Sequence, residues 1–217
     1  MRLTHFGHAA VLVETADGRR VLFDPGTYSS GFETLTRLDL IVLTHAHPDH
    51  VDTGRLAALR AANPEAVLIG NAEAMEFAGH PQENDRVVVD FVPLEIAGVM
   101  LEATGKVHGI IHEALPLVAN TGFVIDGRVW HTGDAFDAEP RPVDVLLLPV
   151  GGPWMKVSEA IDFARAVQPR IIVPIHQGGL AEVHRQLHYG LLKNLVPSAE
   201  LVVLDEGAPR EFAENTH

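Results

Sequence analysis

A short apolar run that ends in several metal-binding side chains constrains this chain more than any other feature of its sequence. The run 39–44 leads into the letters His-Ala-His-Pro-Asp-His, whose candidate ligands are His45, His47, Asp49 and His50. Side chains two positions apart on extended backbone share a face, so the first two histidines can bind one cation. Proline then ends the extended segment, and the turn directs Asp49 and His50 towards a second position. The spacing therefore predicts two neighbouring metal sites.

An alternative interpretation is a histidine-rich turn whose side chains cap the following helix. We favour a metal site, because the four residues follow the carboxyl end of a strand, where α/β proteins place functional groups. Four residues cannot fill two coordination spheres, so later strand ends must supply further ligands. The best candidates each close a β segment and lie near glycine; they are His108, Asp134 and His176.

The amino-acid composition limits both the site and the function. The 217-residue chain has 13 histidines and no cysteine, so any metal must be bound by nitrogen and oxygen. The net charge of −13 disfavours nucleic acid as a partner, because that binding depends on Lys and Arg neutralising phosphates. No apolar run approaches the ~20 residues of a membrane span, and the N-terminus lacks a signal-peptide stretch. We therefore expect a cytoplasmic protein without a membrane span.

Strand-like and helix-like segments alternate along both halves of the chain, and the length fits one domain over residues 1–217. This pattern predicts an α/β fold of two mixed sheets packed face to face with helices outside, a four-layer αββα sandwich. The predicted helices are 53–62, 72–78, 158–167 and 181–194. The predicted strands are 1–6, 10–14, 20–23, 38–43, 67–69, 86–89, 91–96, 99–103, 122–125, 128–131, 145–148, 171–173 and 201–204.

The order of the motifs resembles the metallo-β-lactamase superfamily. HAHPDH, a lone histidine, Thr-Gly-Asp and a strand-end histidine follow one another, and the similarity covers essentially the whole chain. The segments GHAAVLVE, LFDPG, LLLPVGGPW and IIVPIHQG are more similar to its short single-domain metal-dependent hydrolases. That branch is related to ascorbate-6-phosphate lactonase and, more distantly, to N-acylphosphatidylethanolamine phospholipase D. The motif order is specific for fold and metal site, and only weakly specific for substrate.

The resemblance implies a ligand set and a chemistry. In it, His45, His47 and His108 bind the first metal, Asp49, His50 and His176 bind the second, and Asp134 bridges the two. Such a nitrogen and oxygen site suits zinc, with manganese or iron as alternatives. Between cations ~3.5–4 Å apart, a shared water is acidified to a pKa of about 7 and becomes the hydroxide nucleophile. We therefore expect two divalent metal ions, with Asp49 and Asp134 as the catalytic carboxylates.

Several other side chains are candidates for contacts with the ligands or the substrate. Asp24 is predicted to accept a hydrogen bond from the free N–H of a ligand histidine. The alternative is that Asp24 only forms the turn before Pro25. His8 either faces the cavity or is a buried histidine bonded to backbone. His112 competes with His108 for the role of third ligand, and the family pattern favours His108, which leaves His112 as a contact of ligand or substrate.

Two loops are expected at the rim of the metal site. The glycine-rich, serine-rich segment Phe23–Arg37 is long for a connection and is interpreted as a functional loop. Four side chains in these loops either orient a small ligand or cover apolar surface; they are Tyr28, Trp154, Met155 and Lys156. His184 and His188 have the spacing of a zincin helix, but Arg185 replaces the required glutamate, so we reject that motif.

The sequence thus favours a metal-dependent hydrolase that cleaves a small ester, lactone, amide or phosphodiester. An iron-dependent oxidoreductase or dioxygenase in the same ligand frame is the first alternative. A metal-stabilised binding module without turnover is the second, and the complete ligand set argues against it. The expected partner is a small molecule, and association of identical copies is compatible with the sequence.

Overall fold

Two mixed β-sheets of seven strands each pack face to face in the computed structural model, which describes residues 1–79, 81–89 and 91–213. The first sheet contains β1 (Arg2–His5), β2 (Val11–Glu14), β3 (Arg20–Phe23), β4 (Leu40–Leu43), β5 (Val67–Gly70), β6 (Arg86–Val87) and β14 (Arg210–Glu211). The second contains β7 (Leu94–Ile96), β8 (Val99–Thr104), β9 (Gly122–Ile125), β10 (Val129–His131), β11 (Val145–Pro149), β12 (Ile171–Ile175) and β13 (Glu200–Leu201).

Each sheet changes from antiparallel to parallel pairing partway across. In the first sheet, β1, β2 and β3 are antiparallel neighbours, and β3 to β6 are parallel. In the second, β7 to β10 are antiparallel, and β10 to β13 are parallel. Parallel strands end at the same edge of a sheet, and ligands of open α/β sheets bind at that edge. The loops after β4, β10 and β12 therefore emerge together.

Alternation along the strands divides the core into three layers. Val11, Val13, Leu40 and Val42 pack between the sheets against side chains such as Phe123 of β9. The intervening residues of the first sheet face outwards onto Leu56, Leu59 and Ala74 of its helices. The outer face of the second sheet packs on Ile161, Phe163 and Leu192. Because strand side chains alternate between faces, this arrangement confirms the predicted four-layer αββα sandwich.

Four α-helices cover the outer faces within the described residues: α1 (Thr53–Ala62), α2 (Ala72–Ala78), α3 (Val157–Val167) and α4 (Glu182–Leu195). Asp52 caps α1 by accepting a hydrogen bond from the backbone N–H of Arg55, and Asn71 caps α2 by accepting one from that of Ala74. None of these helices, in the part of the chain described, has the length and apolar character that crossing a bilayer requires.

The structure corrects several strand boundaries. The predicted strand 91–96 pairs only over Leu94–Ile96, because Pro93 has no N–H to donate to a neighbour. The predicted strand 201–204 is replaced by Glu200–Leu201, and 86–89 shortens to Arg86–Val87. Sequence analysis missed Arg210–Glu211, which pairs with β1, because two residues carry no periodic signal.

Candidate metal centre

The candidate ligands lie after four strand ends and in one turn. His45 follows β4 and forms an isolated bridge with Asn120, while His176 directly follows β12. Two backbone hydrogen bonds close the turn after His47: the N–H groups of His50 and Val51 donate to the carbonyl oxygen of His47, at 3.0 and 2.9 Å. His108 and Asp134 follow β8 and β10. The fold therefore brings together ligands that are up to 131 positions apart, from His45 to His176.

Three groups of nitrogen and oxygen atoms converge closely enough to hold cations. Within each group the ligand atoms lie within 4.8 Å of one another. The first group is His45, His47 and His108; the second is His8, Asp49, His50 and His176; the third is His45, His50 and Asp134. Because the third group shares a histidine with each of the others, the two outer groups are neighbours, with the Asp134 carboxylate between them.

The Asp134 carboxylate contacts histidines of both outer groups. Its Oδ1 lies 3.3 Å from Nε2 of His50, and its Oδ2 lies 2.8 Å from Nε2 of His176 and 3.5 Å from Nε2 of His108. Asp134 is almost completely buried, which opposes ionisation, but His50 and His176 hold the pKa of this carboxyl well below its usual range. The carboxylate is therefore ionised at neutral pH and lies between the two outer groups.

Several buried atoms of the cluster make no hydrogen bond of good geometry among the described residues, although Nε2 of His176 lies 2.8 Å from a carboxylate oxygen of Asp134. They are Nε2 of His45, His50, His108 and His176, and Oδ1 of Asp134. A buried polar group without a partner costs about 1–3 kcal/mol, so a concentration of them at one place needs an explanation such as an ion. Imidazole nitrogens and carboxylate oxygens are ligands of zinc, and manganese and iron also accept them. The residues present therefore fit a divalent metal centre.

The opposite ring nitrogen of each of these histidines bonds an acceptor. Nδ1 of His50 donates to Oδ2 of Asp24 at 2.7 Å, and Nδ1 of His108 donates to the carbonyl oxygen of Gly109 at 2.6 Å. Nδ1 of His176 donates to the carbonyl oxygen of Gly151. We assign the metal-binding tautomers from these bonds: Nδ1 keeps its proton, and Nε2 is the atom that would present its lone pair once a cation replaces any proton there.

Asp24 orients two of the candidate ligand histidines. It receives hydrogen bonds from the backbone N–H of Thr44 at 2.9 Å and from the Thr44 hydroxyl at 2.7 Å, besides that of His50. Because the Thr44 hydroxyl donates to Asp24, its oxygen accepts from Nδ1 of His45, at 3.0 Å. Asp24 is completely buried and has a φ of 41°, a conformation that is uncommon for a residue other than glycine.

Comparisons with known proteins establish the family of this chain. Residues 2–176 match the family described as Beta-lactamase superfamily domain. The chain belongs to the metallo-β-lactamase superfamily. It is 40% identical to the protein Rv0786c of Mycobacterium tuberculosis, over 96% of this chain and 99% of that protein. It is 30% identical to a UPF0173 metal-dependent hydrolase of Pyrococcus abyssi, over 81% of this chain and 84% of that protein.

A solved structure with the same fold comes from a hyperthermophilic archaeon. Igni18, a metallo hydrolase of Ignicoccus hospitalis, superposes with a TM-score of 0.72 over 98% of this chain and 99% of its own. At 23% identity this likeness establishes the fold alone. The resemblance to the metallo-β-lactamase superfamily that the motif order predicted is therefore confirmed.

His8 belongs to the second group of converging atoms, but its hydrogen bonds differ from those of the other histidines. Its Nδ1 accepts a hydrogen bond from the backbone N–H of Gly178 at 3.2 Å, and its Nε2 lies 3.0 Å from Oδ2 of Asp49. Burial lowers the pKa of His8 to about 4 against the opposing hydrogen bond to Asp49, so the ring is neutral at pH 7. With Nδ1 accepting, Nε2 carries the proton and donates it to Asp49. His8 therefore orients a ligand carboxylate.

Trp154 contacts the bridging carboxylate. Its indole N–H donates to Oδ2 of Asp134 at 2.8 Å, and its ring packs edge-on against His108 with centroids 5.7 Å apart. The absence of a side chain at Gly109 permits this approach, because a Cβ there would lie 2.3 Å from the Trp154 ring. Sequence analysis placed Trp154 at the rim, and the structure places it in direct contact with the centre.

The remaining rim residues lie farther from the ligand atoms. Tyr28 is 63% exposed and packs edge-on to His8 with ring centroids 5.2 Å apart. His112 is exposed and lines a cavity together with His47 and His108. Lys156 is exposed at the residue before α3, and the cavities that adjoin the ligands are lined by other residues.

The zincin-like spacing on α4 brings no site together in the structure. His184 is exposed, and Nδ1 of His188 donates to the carbonyl oxygen of Val150 at 2.6 Å. His188 is therefore used to attach α4 to the end of β11. The rejection of that motif agrees with this arrangement.

Two residues that position the centre were missed by sequence analysis. Thr44 connects Asp24 to His45, because its hydroxyl donates to the Asp24 carboxylate and accepts from Nδ1 of His45. Asn120 is completely buried; its Oδ1 accepts from the backbone N–H of Asp134 at 2.9 Å, and its Nδ2 donates to the carbonyl oxygen of Thr132 at 3.0 Å. Asn120 thereby fixes the loop that carries the bridging carboxylate. An asparagine between a proline-containing loop and a strand looks like an ordinary turn residue, so no sequence signal marked it.

Proposed function

We propose that this chain is a dinuclear metallohydrolase that cleaves a small-molecule ester, lactone, amide or phosphodiester. The first metal would be held by His45, His47 and His108, and the second by Asp49, His50 and His176, with Asp134 between them. Zinc is the favoured ion, and manganese and iron suit the same donors. Membership of a superfamily with relatives named metal-dependent hydrolases supports this function.

One observation carries the proposal: unpartnered Nε2 atoms from both outer groups surround one ionised, buried carboxylate. A structural role would satisfy these atoms with hydrogen bonds, because leaving them unpaired destabilises the fold. Their Nδ1 atoms are satisfied, so each lone pair is oriented in advance for a cation. The group that contains His45, His50 and Asp134 places the two sites close enough for a shared ligand.

Two divalent cations held here would supply a hydroxide nucleophile at neutral pH and polarise the oxygen of the scissile group. The chain's own residues set up that chemistry. Asp49 and Asp134 are the anionic ligands, and Trp154 fixes the orientation of Asp134 by its hydrogen bond. His8 fixes Asp49 in the same way. Hydrolysis adds the oxygen of water to the acyl carbon or phosphorus, and the leaving atom takes the proton.

The cavity beside the second group gives a substrate access to these ligands. It has a volume of about 490 Å³ and is lined by His8, Tyr28, Asp49 and His176, among others. Ligand sites for small molecules are clefts of about 300–1,000 Å³, so this cavity has the size for a small-molecule substrate.

The direct test is metal analysis followed by an activity screen. The chain is purified after growth with zinc, manganese or iron, its metal content is measured, and it is assayed on chromogenic esters, lactones, amides and phosphodiesters. We expect two ions per chain and turnover of at least one class that chelation abolishes. Two ions without turnover of any class would contradict the hydrolase proposal. Iron with oxygen uptake on a substrate would favour the oxidoreductase alternative instead.

A further inference from the structure

The segment between β8 and β9 presents an apolar surface beside the first group of ligands. Its large apolar side chains are between 37% and 66% exposed; they are Val107, Ile110, Ile111, Leu115 and Leu117. Single exposed apolar residues are ordinary on protein surfaces, but a contiguous set that borders a polar site indicates a binding surface. We call this stretch the 107–118 segment.

Four of these side chains, all except Val107, line a cavity whose remaining wall includes His47 and His108. The cavity has a volume of about 200 Å³. An apolar cavity of about 150 Å³ in another protein binds benzene. The 107–118 cavity therefore has room for an aromatic ring or a short alkyl chain, placed directly against two ligands of the first metal.

The charged residues that line the cavities around the centre also limit which substrates fit. Three cavities adjoin the ligands, and none of the described residues that line them is a lysine or an arginine. The largest, beside His108 and Trp154, is bordered by the carboxylates of Asp137, Glu159 and Asp162. If a substrate carried an anionic group away from its reacting bond, that group would meet no lysine or arginine among the described residues that line these cavities. Burying such a group without a partner is costly.

The nearest lysines do not change this conclusion. Lys106 precedes the 107–118 segment, and its ammonium group lies over the ring of Phe91, 5.2 Å from the centroid. Lys156 is exposed and outside the cavity walls. Enzymes that bind a phosphate away from the reacting atoms use arginine or lysine for that contact.

We infer that the substrate is an uncharged ester or lactone whose apolar alkyl or aromatic group occupies the 107–118 cavity. This inference rests on the hydrolase function proposed above and narrows it to carbonyl compounds without an anionic group. The water oxygen forms a bond to the carbonyl carbon, the bond from that carbon to the ester oxygen breaks, and the ester oxygen leaves with a proton. The apolar acyl group is held by Leu115, Leu117 and their neighbours throughout.

The test uses the metal-loaded full chain and 4-nitrophenyl esters of increasing acyl length: acetate, butanoate and hexanoate. A fourth ester carries a six-carbon acyl chain that ends in a carboxylate. Burial of each methylene is expected to raise kcat/KM about threefold to fourfold until the cavity is full. The carboxylate-ended ester is expected to react at least tenfold more slowly than the hexanoate.

A charged variant of the cavity wall sharpens the test. Leu117→Lys places a cation in the 107–118 cavity, and Val183→Lys makes the same change on the exposed face of α4 as a matched control. Leu117→Lys is expected to lower the hexanoate to acetate ratio of kcat/KM at least fivefold and to improve the carboxylate-ended ester relative to the hexanoate. Val183→Lys is expected to keep both ratios of the unmodified chain.

The outcomes separate this inference from the proposed function. A flat series of kcat/KM values, a preference of the unmodified chain for the carboxylate-ended ester, or equal ratios in Leu117→Lys and Val183→Lys would overturn the inference while hydrolysis itself stands. Turnover of an amide or a phosphodiester but of none of these esters and no lactone would likewise overturn the inference alone. If a chain shown to contain two metal ions turns over no ester, lactone, amide or phosphodiester, the proposed function fails together with the inference.

Discussion

Oδ2 of Asp24 accepts a hydrogen bond of 2.7 Å from Nδ1 of His50, and both side chains are completely buried. The same oxygen accepts from the Thr44 hydroxyl, so a single carboxylate controls the ring orientation of His50 directly and of His45 through one relay. The positive φ of Asp24 shows that the backbone adopts an uncommon conformation to place this carboxylate.

Asp24→Asn tests this control without changing the size of the side chain. An amide oxygen can still accept, but its NH₂ group is a donor and cannot replace the second carboxylate oxygen. Changing such an outer carboxylate lowers metal affinity or activity by about 10–100-fold, and we expect a loss in that range. Titration of the metal-free variant with zinc measures the affinity, and circular dichroism checks the fold. An unchanged affinity together with unchanged activity would remove Asp24 from the site.

His47→Ala tests the first group of ligands. His47 is partly exposed, so its removal leaves the buried layers intact, and we expect loss of metal and of any hydrolytic activity while the far-UV signal persists. The matched control is His184→Ala, which removes an exposed histidine of α4 and is expected to keep both metal and activity. Full activity in His47→Ala would contradict the assignment of this ligand.

Trp154→Phe tests the hydrogen bond to the bridging carboxylate. Phenylalanine keeps an aromatic ring near His108 but loses the N–H that donates to Oδ2 of Asp134 at 2.8 Å. Hydrogen bonds to charged groups contribute about 1.5–3 kcal/mol, so we expect kcat/KM or metal affinity to fall at least about tenfold. Steady-state kinetics and metal titration measure the two effects. Parameters equal to those of the unmodified chain would show that this contact has no functional role.

The stability of the metal-free chain is expected to depend on pH in a direction set by His50 and His176, because neighbouring carboxylates raise the pKa of both imidazoles. Burial opposes the charged form of the His176 imidazole, but the Asp134 carboxylate outweighs it and raises the pKa of His176 to about 9. The folded-state pKa lies above the unperturbed value of ~6.5, so the proton stabilises the folded chain fully below about pH 6.5. That stabilisation, up to about 3 kcal/mol, is lost as the pH rises towards 9.

Denaturant unfolding of the chelated chain between pH 6.5 and 9 measures this dependence. The free energy of unfolding is expected to fall across that window. His176→Gln, which cannot titrate, is expected to make the profile less steep, and the raised pKa of His50 accounts for the slope that is left. Metal should flatten it too, because a cation replaces the proton on Nε2. Stability of the chelated chain that rises or stays level over the window would contradict the assigned direction of the pKa.

Much of the fold could be predicted because its strands and helices carry clear periodic signals. The alternation in Val11–Glu14 and in Leu40–Leu43 directs side chains to two different cores, which is what a central sheet of a layered sandwich requires. The ends of short strands could not be predicted. At Arg86–Val87 and Arg210–Glu211 the pairing depends on neighbouring strands that are distant in sequence, and two residues have no period to detect.

The candidate ligands were recognisable because few functions other than metal binding place histidine and aspartate so densely at strand ends. The residues that orient them were harder to find. Thr44 and Asn120 are common polar types in unremarkable contexts, and their roles arise only from the contacts that the folded chain makes. His8 was left open between two interpretations, and only the hydrogen bond from Gly178 to Nδ1 establishes that Nε2 carries the proton that it donates to Asp49.

The central claim is that two cations lie between these strand ends, and anomalous diffraction from crystals of the zinc-loaded chain tests it most directly. The account predicts two peaks about 3.5–4 Å apart on either side of the Asp134 carboxylate. One peak should lie about 2.0–2.1 Å from nitrogens of His45, His47 and His108, and the other at that distance from His50 and His176. A single peak, or peaks bound elsewhere while these histidines keep their Nε2 atoms unliganded, would contradict it.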